Sequence, residues 1–234
     1  MDDRAQYASP VLMDHNGKQS IICWTGDSIA ALEPQSGEAL WRFDFPPRNM
    51  PIGIATPVVK EGHVFVTSFY DGSLMLKVNE DNTGATKVWS AVGPNEKKTK
   101  SLQSIISTPI WIDDHIYGVD SYGQLRCLEA ATGKRLWENL DAVPAARWST
   151  IHFVLNGKDG DTVWMFNERG EVLLTKLTPE GYEELSRHKI LDPTLKQLRR
   201  RNGVCWSHPA FATGSIFVRN DKEMKSWTLG KVTQ

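Results

Sequence analysis

Cysteine is scarce in this chain. Cys23, Cys127 and Cys205 are odd in number, far apart and form no CxxC pair, which excludes a disulfide framework and a thiolate zinc knuckle. No apolar run approaches the roughly 18 residues a membrane-spanning helix needs. Met1-Asp2-Asp3-Arg4 offers neither a basic nor an apolar signal region, so no signal peptide is expected. A dominant charge sign is missing too: 27 Lys and Arg face 28 Asp and Glu. That balance argues against nucleic-acid binding through global charge and leaves only local patches. Gly-rich phosphate loops, a GxSxG elbow and Asn-x-Ser/Thr sequons are likewise absent.

What is plentiful is tryptophan and turn formers: nine Trp, 18 Gly and 12 Pro in 234 residues. Four segments repeat. Ser36-Gly37-Glu38-Ala39-Leu40-Trp41, Thr83 to Trp89, Thr132 to Trp137 and Glu180 to Leu185 end at positions 41, 89, 137 and 185. That constant spacing of 48 residues signals a propeller or solenoid. Each unit opens on a small residue, Pro and an apolar run (Ser9-Pro10, Thr56-Pro57, Thr108-Pro109) and continues through two β-rich runs joined by Gly turns at Gly26, Gly72, Gly123 and Gly170. The order predicts four short antiparallel strands per unit, A to D. In the fourth unit Ser149-Thr150-Ile151 replaces the Pro start and Leu185 replaces the Trp; a fifth unit begins at Ser207-His208-Pro209 and has no strand D. Nineteen strands are therefore expected. Only Asp192 to Arg201 offers a helical turn or two, in a connection.

A four-stranded sheet apolar on both faces needs covering on both faces, and copies packed around an axis supply that. The fold expected is an all-β propeller of about five blades, the last incomplete, over a single domain 1–234, with blades near 7–46, 54–92, 106–140, 147–190 and 205–230. Trp41, Trp89 and Trp137 are the expected wedges between blades. Each buries roughly 150–250 Å², worth several kcal/mol at about 25 cal/mol per Å².

The stretch Leu125-Arg126-Cys127-Leu128-Glu129-Ala130-Ala131-Thr132-Gly133-Lys134-Arg135-Leu136-Trp137 resembles the repeat of the quinoprotein (PQQ-repeat) β-propellers. Ala31 to Trp41 matches it again, and Asn79 to Trp89 does so with one residue inserted. The resemblance covers nearly the whole chain. It implies a seven- or eight-bladed ring of which this chain forms part, and a periplasmic or cell-envelope location, with the cytoplasm as the alternative. It also implies one of two functions. The first is a non-catalytic, BamB-like scaffold of envelope protein assembly without a cofactor. The second is a fragment of a PQQ-dependent alcohol or sugar dehydrogenase, with PQQ and Ca²⁺.

The residues favour the scaffold. Quinone chemistry needs carboxylates for a cation and a base, yet the inner runs 9–13, 55–60, 107–112, 149–155 and 207–212 contain no Asp or Glu; paired glycosidase carboxylates are missing for the same reason. The Cys-Cys pair of many family dehydrogenases is also absent. Trp111 on an inner run reads as packing rather than a cofactor platform. His15, His63 and His115 recur at the A–B turn and read as a turn preference. His152 and His208, with Cys205 nearby, could meet at the axis, where zinc is the weaker alternative to a hydrogen-bonded pair.

Charge is concentrated in loops. D-to-A and B-to-C connections share one end of a propeller. Arg48 lies in the first D-to-A loop, Lys97, Lys98 and Lys100 in the second, Arg147 in the third, and Lys196, Arg199, Arg200 and Arg201 in the fourth. The expectation is a basic face that docks a protein or an anionic ligand. Open blade edges would also invite self-association.

Overall fold

The computed structural model describes residues 2–157, 162–194 and 202–229. Nineteen strands and no helix appear among them. β1 (Val11–His15), β2 (Lys18–Trp24), β3 (Ser28–Leu32) and β4 (Ala39–Asp44) form the first sheet. β5 (Val58–Lys60), β6 (His63–Ser68), β7 (Gly72–Val78) and β8 (Ala85–Ala91) form the second. The third holds β9 (Ile110–Ile112), β10 (His115–Val119), β11 (Leu125–Glu129) and β12 (Arg135–Asn139). The fourth holds β13 (Ile151–Asn156), β14 (Thr162–Asn167), β15 (Glu171–Thr178) and β16 (Gly181–Lys189). The fifth has three strands, β17 (Ala210–Ala212), β18 (Ser215–Arg219) and β19 (Met224–Thr228). Every sheet is an antiparallel meander, so strands A to D run in chain order. No helix of the described residues is long and apolar enough to cross a membrane.

Alternating side chains send each sheet's apolar residues to both neighbours. Ile22, Ile29 and Trp41 of the first blade pack on Val64, Leu74 and Leu76 of the second. On the other face of that second blade, Phe65 and Met75 meet Ile116 and Leu128 of the third. Tyr117, Leu125 and Cys127 meet Val163, Met165 and Leu173 of the fourth, and Phe166 and Val172 meet Ile216 and Val218 of the fifth. Among the described residues no apolar cluster joins the fifth blade to the first.

The wedge positions obey a register rule. Each D strand carries a β-bulge, and the residue after it pairs with strand C: Trp41 with Ala31, Trp89 with Met75, Trp137 with Cys127. Trp89 Nε1–H donates to the Ala130 carbonyl (2.8 Å) and Trp137 Nε1–H to the Thr178 carbonyl (2.9 Å), so each indole is tied to the next blade. Trp41 is buried without a partner for its N–H among the described residues.

The sequence spacing put Leu185 in the fourth wedge slot. The register corrects this, because the tighter hairpin Thr178–Gly181 adds one residue pair before the bulge. Leu185 is the bulged residue, 40% exposed like its counterparts Val88 (44%) and Leu136 (38%). Ser186 pairs with Leu174 and occupies the wedge slot. Facing it, Trp227 takes the register place of Leu76 and Leu128. A groove of about 510 Å³ remains between these blades, lined by Leu174, Ser186, Trp227 and Leu229.

Candidate docking face

The B–C turns and the D–A loops meet at one end of the blades, where two loop systems interlock. The long loop between β8 and β9 is held down by a buried polar network. Gln103 N–H donates to Asp120 Oδ1 (2.6 Å), Gln103 Nε2–H to the Phe69 carbonyl (2.8 Å), and Gly93 N–H to Gln103 Oε1 (2.8 Å). Arg126 closes the network: its Nη1 donates to Thr99 Oγ1 (2.7 Å) and the Ser101 carbonyl (2.9 Å) and sits 2.9 Å from Asp120 Oδ1. Burial pushes the Asp120 carboxyl up and the Arg126 guanidinium down, and each partner's charge pulls the other back.

That anchoring fixes what the loop displays. Lys97 Nζ lies 6.0 Å from the Tyr122 ring centroid. Arg147, in the loop before β13, stacks over Trp148 at 4.8 Å and Phe69 at 5.3 Å. Arg147 also reaches the Tyr122 phenol, which burial pushes up and the guanidinium draws back. Trp148 adopts φ 67°, a left-handed conformation that is strained for a bulky residue and concentrates at functional sites. Its backbone N–H is held by the Ser121 carbonyl (2.5 Å), while its indole N–H is buried with no partner among the described residues. The guanidinium is thus pre-oriented on two aromatic faces, and its in-plane donors are free of any ion pair among the described residues.

Of the basic residues expected on this face, Arg48, Lys97, Lys98, Lys100 and Arg147 are exposed at this end. Lys97 and Arg147 converge on Tyr122. Arg48 stands by the turn of the second blade, its N–H on Asp71 Oδ1 (2.7 Å). Lys196, Arg199, Arg200 and Arg201, and most of the helical turn expected at 192–201, lie outside the described residues. The aromatic half of the cluster was missed. Its signal is the aromatic residue near the B–C glycine of the second and third units, Phe69-Tyr70-Asp71-Gly72 and Tyr122-Gly123, and the adjacent Arg147-Trp148.

His152 and His208 do meet, with ring centroids 4.0 Å apart. His152 Nε2–H donates to the Trp206 carbonyl (3.0 Å). The Cys205 thiol packs among Ile190, Leu191 and Ile216, and burial raises it to about 11. No three His, Cys, Asp or Glu of the described residues converge on a metal position. At the A–B turns, His63 and His115 share one register place, whereas His15 lies on the opposite arm of its hairpin.

The His152 pair makes a pH prediction. Burial, and secondarily His208, lower His152 from 6.5 to about 3. An unfolded imidazole titrates near 6.5, so between those values the unfolded chain binds the proton and stability rises with pH. The stabilisation is complete above about 6.5 and is lost as pH falls towards about 3; at pH 5 the loss is about 2 kcal/mol. His152→Gln keeps a donor for Trp206 without the titration. In urea melts it should lose about 2 kcal/mol less than the natural chain between pH 7 and pH 5.

A family model described as outer membrane protein assembly factor BamB matches residues 25–224. BamB from Shewanella oneidensis is 23% identical over 120 residues, which are 50% of this chain and 30% of that protein. The crystal structure of BamB from Moraxella catarrhalis superposes with a TM-score of 0.60 at 15% identity, over 98% of this chain and 59% of that one. The Myceliophteria thermophila Cps50 (Swd1) β-propeller domain gives 0.62 at 12% identity, over 98% and 69%. The computationally designed Ika8 protein gives 0.60 at 12% identity, over 95% and 58%. The chain thus spans less than two thirds of the BamB proteins it matches. At these identities the structural likenesses carry the β-propeller fold.

Proposed function

Since the chain belongs to the BamB family of PQQ-repeat β-propellers, we propose that it is a non-catalytic scaffold of envelope protein assembly that docks a protein or anionic partner on its basic loop face. The supporting observation is the Arg147 cluster. A cation without an ion pair among the described residues is held on Trp148 and Phe69, with Lys97 beside it on Tyr122. Carboxylates of a partner would complete the guanidinium's planar donor fork, and the surrounding lysines would steer its approach. The proposed setting is the periplasm, and the proposed assembly is a larger ring in which further blades cover the apolar faces at either end of this arc.

The test is charge reversal. A Lys97→Glu/Arg147→Glu variant should capture the partner purified from envelope extracts about tenfold more weakly, and with a flatter salt dependence. Its urea midpoint should stay unchanged, because both side chains are exposed. Capture that is unchanged at every salt concentration would remove this face as the docking surface.

A further inference from the structure

At the opposite end, where A–B and C–D turns meet, the second and third blades enclose a cavity of about 600 Å³. Part of its wall is apolar and aromatic: the buried Met75, with Val88, the Trp111 indole and the His63 ring. Trp111 is fixed by its own N–H, which donates to the Asp113 carbonyl (2.9 Å), and its centroid lies 6.2 Å from His63. The second blade has Val59 at the Trp111 register position, so the indole is particular to this junction.

Carboxylates ring the mouth. Glu61, Asp113, Asp114 and Glu129 line it. Glu129 accepts a hydrogen bond from the Thr132 hydroxyl. The other three carboxylates have neither an ion pair nor a hydrogen bond among the described residues. The nearby cationic and titratable groups bond to backbone carbonyls rather than to these carboxylates. Lys60 Nζ donates to the Asp113 backbone carbonyl (2.8 Å), and His63 Nδ1–H donates to the Glu61 backbone carbonyl (3.1 Å). These carboxylates do not converge as metal ligands. Their spread suits a broad, delocalised cation on an apolar stem.

We propose that this cavity receives an arginine side chain presented by a partner's peptide. The aliphatic stem would lie on Met75 and Val88, the guanidinium on the Trp111 face, and its N–H groups would reach Asp113, Asp114 and Glu61. Indole is the best cation–π acceptor among the side chains. Guanidinium is more weakly hydrated than ammonium and offers a planar fork to several carboxylates at once. The complementarity is of opposite sign to that of the basic loop face, so the two sites take different segments and stand independently.

The test titrates the full chain with N-acetyl-Gly-Arg-Gly-amide and follows the Trp111 indole N–H in a ¹H–¹⁵N spectrum, assigned through Trp111→Phe. A saturable shift is expected. It should weaken about tenfold with the norleucine analogue, and to a similar extent in Asp113→Asn/Asp114→Asn, whose circular dichroism should match that of the natural chain. Spermidine, a free polyamine, should bind more weakly than the peptide. The inference is overturned if Trp111 does not shift, if norleucine or the double Asn variant binds as well, or if spermidine binds more tightly.

Discussion

Trp89→Ala should lower the unfolding free energy by about 3–5 kcal/mol, the range for removing a large aromatic from a packed site. Three contributions add. The indole packs with Phe65 (centroids 5.8 Å apart), Met75 and Leu128 across the junction of the second and third blades. Its N–H donates to the Ala130 carbonyl, which the variant leaves without that donor. It also lies on Gly133, where a built Cβ would meet the ring carbons at 2.6 Å; the turn is glycine because the wedge needs the space and because φ is 72°. Trp137→Ala should behave alike through Thr178 and Tyr117. Leu185→Ala should cost less than about 1 kcal/mol, since the bulged side chain is exposed. Urea melts by far-UV circular dichroism, with the slope unchanged, measure all three. A loss below about 1 kcal/mol for Trp89→Ala would show that the indole is not a wedge.

The same residues show why the architecture is readable from sequence. A propeller repeats one local solution, so the turn glycines and, in the first three units, the closing indole recur at fixed spacing. Gly37, Gly133 and Gly170 take the positive φ that such turns require. The fourth blade shows the limit. Spacing counts residues, whereas the slot is set by the pairing of strand C with strand D. One extra pair in the β15–β16 hairpin moved the wedge slot from Leu185 to Ser186 without altering the count. The compensation, an indole at Trp227 on the facing sheet, sits 41 residues away and breaks no local pattern.

The candidate docking face was half legible for a related reason. Lysine and arginine in long loops announce themselves by composition, and topology alone puts those loops at one end. Which cations are organised depends on rings from other loops: Phe69 and Trp148 are 79 residues apart in sequence and 6.1 Å apart in space. Trp111 is a similar case. Its strand position reads as packing, and only the turns of two blades reveal that one side of its ring borders a carboxylate-rimmed cavity.

Arg126→Met should be as damaging as the loss of a wedge, about 3–5 kcal/mol, for a different reason. The Arg126 and Asp120 side chains are 3% and 1% exposed and meet at 2.9 Å. Replacing the arginine keeps its volume but strands a buried carboxylate, whose remaining donors are the Gln103 N–H and the Thr99 hydroxyl. Burial already pushes Asp120 up, and without its counter-charge it should rise further and take a proton. A carboxyl raised above its unfolded value destabilises the fold above that value, and the penalty fades as pH falls through the folded one. The Arg126→Met defect should therefore be larger at pH 8 than at pH 5, opposite in sense to the His152 effect. Asp120→Asn/Arg126→Met should recover part of the loss, since no charge remains to be buried. The network also pins the loop that carries Lys97, so Arg126→Met should weaken partner capture together with stability. Arg147→Glu should weaken capture alone, and that contrast separates holding the proposed docking face in place from being part of it.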